Sequence, residues 1–469
     1  MKPQADSTGD TLGQSVSNLW AWLHTWEDGT GGVHGPVVYH HRDNLKVLRP
    51  DTWTQGATLL GLLNTYASSG EDSFLVAARR LGGFLASNYL KELHVYRDSN
   101  FDQKPLGQPA LEGNAIGSLA LIELAKALGQ KGQEFRSIAM DNITGFVIKQ
   151  WDPEAAAFSV KYHDGRAHIH NKGAMACLAI LAAEGYDPDG EMTQKFAIPS
   201  GEFTLKSQVR DGELAGAIPY ADRDSNYRTL YSLVTGLGLL GLHKVTRDTR
   251  YTECVERLVS HLSGFLDTKT GLICHRHGVG YPQWITDTIL FLLVKRTLDQ
   301  RRGIPEDGIA GQMLQRALSY QYPSGAFPLS LGFEDLFYTE VMKSLPGISR
   351  WRDVLPTPGV NSWDFWFLSL LLGRERIPPP TSAFPFELES DEEEFEGPYR
   401  IVDSERELRV YAKEGQVKFL ANKVEDVPAV CTLSERTANW KTIDSIMRYP
   451  SAVRRLILAV PRLWLKLRP

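Results

Sequence analysis

The chain has 469 residues, 42% of them hydrophobic and 23% charged, with a formal net charge of -5. That balance belongs to a soluble globular protein and excludes a general nucleic-acid binder, whose basic stripe would dominate the charge. No stretch reaches the roughly 18 uninterrupted apolar residues of a spanning helix, and the N-terminus has no apolar signal core, so a cytoplasmic protein is expected.

In chain order, the first strongly apolar helix is expected from Asp51 (PDTWTQGATLLGLLNTYA) and the second from Glu112 (EGNAIGSLALIELAKAL). Others follow from His168, Asn226, Trp284 and Asp335, with a further apolar helix over Asn361 to Gly373. Each begins polar and continues apolar on every side; Ile289 to Val294 is the clearest case, and a helix of that kind must be buried all round. The six starts lie 51 to 61 residues apart, which is an internal repeat. Between them run amphipathic helices from Asp72, Glu134 and Tyr251, followed by turn segments rich in Gly, Asp and Pro.

The unit is therefore an outer helix, a Gly-rich loop and an inner helix. Repeated six to seven times, such hairpins form an all-α, α/α toroid, because an open solenoid would leave its inner row facing water on the concave side. The toroid is expected over residues 1–375, a Pro-rich and acidic linker over 376–398, and a small C-terminal β-hairpin with a basic helical tail over 399–469. Alternation around Glu414-Gly415 marks the hairpin. The tail mixes Leu, Ile, Val and Trp464 with Arg448, Arg454, Arg455, Arg462, Lys466 and Arg468. It reads either as an apolar face docked on the toroid or as a segment lying on an anionic membrane surface, peripheral to the inner membrane.

In a toroid the first turns of the inner helices share one mouth. Glu112, Asp287 and Glu340 stand there beside apolar residues and are the expected catalytic carboxyls. Trp53, Tyr227, Trp284 and Trp363 would form a stacking wall, and Gln55, Asn114, His168, His170, Arg228, Tyr338 and Asp364 complete the candidate substrate-binding set. Carboxylates, amides and aromatics in one place suit a sugar. Asp51, Asn226, Asn361 and Ser362 read more simply as helix N-caps. His163, His168 and His170, and the pair His275 and His277, lack the spacing of a metal site, so neither metal nor cofactor is expected. Cys177, Cys254, Cys274 and Cys431 have no paired spacing and read as free thiols.

The alternation of helices with Gly-rich loops, and starts such as RPDTWTQGATLLGLL and NSWDFWFLSLLLG, resemble the six-hairpin glycosidase-like α/α toroids over about Ser15 to Gly373. The resemblance implies carbohydrate chemistry of a glycoside hydrolase, lyase or uronyl epimerase type, on a glycan or lipid-linked glycan. Terpenoid cyclases and prenyltransferases are also toroids, but the acidic DxDD motif of the former and a clear zinc set of the latter are missing from the sequence. A non-catalytic toroid scaffolding a membrane-associated glycan assembly complex is the remaining expectation.

Overall fold

A computed structural model describes residues 7–24, 26–27, 30–33, 52–97, 109–162, 165–187, 190–224, 227–267, 270–275, 283–304, 308–321, 325–327, 330–331, 358–373, 377–380, 387–389, 399–403, 406–413 and 416–422. They fall into two compact units.

The first unit is an α/α toroid. Its inner helices are α2 (Thr52–Ser69), α4 (Leu111–Leu128), α6 (His170–Ala183), α8 (Thr229–Thr246), α10 (Ile285–Arg302) and α12 (Pro358–Leu371). Each packs on the next in that order, and α12 packs back on α2, so the row closes into a ring as the apolar pattern requires. The outer helices are α1 (Ser7–His24), α3 (Asp72–Ser87), α5 (Gln133–Asn142), α7 (Ile198–Ser207), α9 (Thr249–Ser263) and α11 (Gly308–Leu318). In α9 the buried residues Tyr251, Cys254, Val255, Leu258, Val259 and Leu262 recur at three and four, leaving the other face wet. In α10 everything from Ile285 to Val294 is buried, which removes the whole first half of that helix from water.

The inner helices start 59, 59, 59, 56 and 73 residues apart. The sixth member of the ring is thus α12, and the start expected near Asp335 lies outside the described residues. Close approach at the closing seam needs glycine: a Cβ on Gly61 of α2 would stand 2.3 Å from the Phe365 ring of α12. Helix α1 covers that seam, with Trp20 stacked on Phe365 and Ser15 exchanging hydrogen bonds with Gln321 beyond α11.

One position recurs structurally. The fourth residue of each inner helix is Gln55, Asn114, Gly173, Ser232, Thr288 or Asn361, and five of the six reach back to the backbone of the preceding loop or hairpin. Gln55 donates to Val33 O and accepts from Val33 N; Asn361 does the same with Phe327; Asn114 accepts from Tyr96 N, Ser232 donates to Ile218 O, and Thr288 accepts from Ile273 N. Gly173 has no side chain to do so. These pins fix each mouth loop to its helix and satisfy buried backbone groups. Asn361→Ala should therefore cost about 2–4 kcal/mol in chemical denaturation, since it orphans a buried N–H and a buried C=O together, and Ser232→Ala roughly half that. Equal, near-zero losses would refute the role.

The second unit is described through four antiparallel strands in the order Glu387–Glu389, Tyr399–Asp403, Arg406–Lys413 and Gln416–Asn422. Lys413 faces Gln416, so the last two form the hairpin expected around Glu414-Gly415, enlarged here into a sheet. Its first strand comes from the stretch read as linker. The tail over 423–469 lies outside the described residues.

Candidate functional site

Contacts between helix starts place the six first turns at one mouth. Trp53 of α2 stacks on Trp363 of α12 with centroids 3.9 Å apart, Lys172 of α6 pairs with Glu112 of α4 at 2.7 Å, and His275 O, just ahead of α10, accepts from Thr229 N at the start of α8. His170 N, at the start of α6, donates to Tyr220 O ahead of α8. The first N–H groups of α6 and α8 are thus taken up by the next repeat's loop, and Ala110, Ile169, Arg228 and Trp284 at the N-caps of α4, α6, α8 and α10 give no side-chain cap. Asn361 and Ser362, read as caps from the sequence, lie inside α12; Asn361 is a pin and Ser362 bonds Gly359 O. Asp51 and Asn226 are outside the described residues.

The most buried chemistry is at the start of α10. His275 Nδ1 lies 2.8 Å from Asp287 Oδ2, and the His275 ring stacks on Trp284 at 4.0 Å and 14°. The contact orients the ring: a carboxylate can only accept, so Nδ1 carries a proton toward Asp287. Asp287 is 0% exposed, and burial pushes its pKa up, opposed by the imidazole and the nearby Leu230 N–H. Across the seam on α12, Asp364 is also 0% exposed. Burial first, and Asp287 in addition, push Asp364 up to about 7, while the neighbouring Thr286 hydroxyl only partly offsets this without forming a hydrogen bond of ordinary geometry.

On the other side of the mouth, His170 stacks on Phe203 and its Nδ1 lies 3.2 Å from Thr204 Oγ1. The Thr204 hydroxyl donates to Ser200 O, so it accepts from His170 Nδ1–H and leaves Nε2 unprotonated. Burial lowers the His170 pKa to about 4, so this ring is neutral at physiological pH. His168 lies between Asp152 at 3.0 Å and Asp222 at 2.8 Å, clamping two loops. Arg228 lies over the rings of Tyr220 and Tyr231, and Tyr227 and Arg228 line a small cavity against α9.

The structure therefore brings Glu112, Asp287, Trp53, Trp284, Trp363, Asp364, His168, His170, Tyr227 and Arg228 to the helix starts. Gln55 and Asn114 are at the same level, but their amides are committed to the backbone of Val33 and to Tyr96, Asn142 and Ala110. Glu340 and Tyr338 lie outside the described residues, as do His163 and His277. Sequence reasoning puts Lys172 among the polar first-turn residues but not in the catalytic or binding set, and leaves His275 out of the site altogether. Lys172 had a signal, since it stands one repeat after Glu112 and adjacent inner helices put such residues side by side. His275 had none beyond its CHRHG setting, because its partner is twelve residues on, across a loop. Among the described residues no three His, Cys, Asp or Glu side chains are grouped to hold a metal, and Cys177, Cys254 and Cys274 are free.

Comparison with solved structures gives the class: the chain has the α/α-toroid fold of the six-hairpin glycosidase-like proteins. It is similar to an unsaturated glucuronyl hydrolase specific for heparin (TM-score 0.55, 12% identity, 77% of this chain and 96% of that one). It is also similar to a D-mannose isomerase (0.56, 11%, 77% and 97%) and to cellobiose 2-epimerase from Bacillus thermoamylovorans B4167 (0.53, 12%, 75% and 95%). No family model and no curated protein matches the sequence.

Proposed function

We propose that the protein is a sugar-active enzyme that moves a proton at the carbon next to a sugar carbonyl, as an isomerase or 2-epimerase does. The observation that carries this reading is the buried His275–Asp287 pair stacked on Trp284. Asp287 holds the imidazole with Nε2 as the base, and Trp284 offers an aromatic face beside it. Asp364, with a pKa near 7, is a carboxylic acid able to give a proton to the developing oxyanion, and neutral His170 is a second base on the opposite wall. Glu112 is tied to Lys172, so the pair orients hydroxyls. Two of the similar structures are a mannose isomerase and a cellobiose epimerase, which supports this chemistry.

The test is proton NMR in D2O with a panel of reducing sugars. Exchange at C2, with the ketose or the C2 epimer appearing, is the expected result. A glycosidase reading draws on two buried carboxyls, Asp364 and Asp287, whose environments differ and whose pKa values burial raises. Hydrolysis of a glycoside without C2 exchange would establish it in place of the isomerase.

The tail supports a second proposal, that the enzyme meets its substrate, a lipid-linked glycan, at an anionic membrane. No described helix is long and apolar enough to cross a membrane. Six basic residues at about 1 kcal/mol each suffice for surface attachment if all reach it. Co-sedimentation with phosphatidylserine vesicles should fall at least about tenfold when 442–469 are removed; equal sedimentation of both forms defeats the idea.

A further inference from the structure

A charged side chain that leaves water is normally compensated by an ion pair or by several hydrogen bonds. Arg228 is partly exposed, its Nε is buried without a partner, and among the described residues neither a carboxylate nor any other hydrogen-bond acceptor meets its guanidinium. Lys172, one repeat earlier, is by contrast neutralised by Glu112, and His168 lies between Asp152 and Asp222. Two aromatic rings hold Arg228 instead: its Cζ lies 5.3 Å from the Tyr220 ring and 5.4 Å from the Tyr231 ring. A ring attracts the cation but takes the place of no oxyanion, so the fork of N–H donors stays unused.

Arg228 also stands beside the proposed base. Thr229, the next residue, donates from its N to His275 O at 3.0 Å and from its hydroxyl to Cys274 O at 2.6 Å. A cavity bounded by Tyr227, Arg228, Ser232 and the α9 residues His261 and Phe265 has about 200 Å³ of empty space, which includes open solvent. That is less than the roughly 300 Å³ at which ligand pockets begin, so it admits the oxygens of a substituent while the sugar ring stays outside. We infer that Arg228 reads an anionic substituent, a carboxylate or a phosphate, on the sugar that the mouth takes, so that the substrate is an acidic sugar. The guanidinium is charged at every physiological pH and presents its donors in the geometry of an oxyanion, which a neutral hydroxyl would use only in part. The inference rests on the proposed sugar chemistry but is read by binding alone.

The experiment is isothermal titration calorimetry of the full chain with D-glucuronate, D-glucose 6-phosphate, D-glucose and inorganic phosphate, for wild type, Arg228→Gln and Arg228→Lys. In wild type at least one acidic sugar should bind at least about tenfold more tightly than glucose, and which of the two does so tells carboxylate from phosphate. Arg228→Gln should lose most of that preference while glucose binding changes less than about threefold. Its fold should hold, since the side chain takes part in no described hydrogen bond or ion pair. If it does not hold, Arg228→Lys, which keeps the charge but not the fork, should still cut the preference by at least about threefold. Equal binding of acidic and neutral sugars, no binding of either, an unchanged preference in a folded variant, or inorganic phosphate binding as tightly as the acidic sugar each overturn the inference. Preference without C2 exchange would sink the isomerase reading and leave this one standing, whereas exchange on glucose with no preference would do the reverse.

Discussion

His275→Gln should lower C2 exchange by at least about a hundredfold, with the helical content unchanged. The variant keeps a polar side chain over Trp284 but has no titratable nitrogen, so the base is gone while the stack survives. Asp287→Asn is the sharper probe. An amide at this position can donate to Nδ1 and so favours the wrong tautomer, placing the proton on Nε2 where the lone pair is needed. Losses of about 10²–10⁴ in kcat with a smaller change in KM are expected, because the defect is in the reacting group rather than in the sugar contacts. If both variants retained full exchange, the base would have to be sought elsewhere, with His170 next.

Asp364→Asn should raise stability, increasingly so from about pH 4 to about pH 7 and by a constant amount above that. A carboxyl whose folded pKa is raised from 3.8 to about 7 contributes stability fully below the unfolded value and loses it as pH climbs through the folded one. Between pH 4 and pH 7 that loss amounts to at most about 4 kcal/mol, at 1.36 kcal/mol for each unit of pKa difference. The asparagine carries no such penalty. It also keeps an acceptor oxygen for the neighbouring Thr286 hydroxyl, a described group that eases the carboxyl's burial. The difference in melting temperature between variant and wild type should therefore grow by several degrees from pH 5 to pH 8. His170, whose lowered pKa acts with the opposite sign and below neutrality, is common to both proteins and drops out of the difference. Parallel pH profiles would show that Asp364 ionises freely in the fold. A residue that costs stability and improves when removed is placed for function, which is the familiar trade at a binding site.

Much of the architecture can be read in the sequence, because an inner helix of a ring has nowhere to put a polar side chain after its first turn. The runs LLGLL, LALIEL and ILFLLV are the fold's signature at the level of single residues. The outer row is harder. Helix α9 is plainly amphipathic, but α7 carries Pro199 and Gly201 and α11 begins at Gly308, so neither shows an outer-helix pattern as clear as that of α9. The apolar helix expected over Asn361 to Gly373 is α12, 73 residues after α10, and the start expected near Asp335 lies outside the described residues. In the site, residue types and level along the helices were legible, but pairing was not. A row of polar first turns does not tell Gln55, whose amide serves Val33, from Asp364, whose carboxyl has no hydrogen bond of ordinary geometry among the described residues. That distinction depends on which loops fold back over each helix start, and loop conformation has no periodic signal.

Ring closure also bears on how the protein is made. Ser15 on α1 finds its hydrogen-bond partner Gln321 306 residues later, and Trp20 waits for Phe365. At about 5–20 residues per second, the ribosome takes roughly 15–60 s to deliver that partner. Throughout that interval the apolar side of α1, with Val16, Leu19, Trp22 and Leu23 all essentially buried at the end, lacks the last hairpin it packs against. The apolar side of α1 is thus sheltered only after the rest of the ring has been made, and on the nascent chain it is a surface that a holding chaperone would meet.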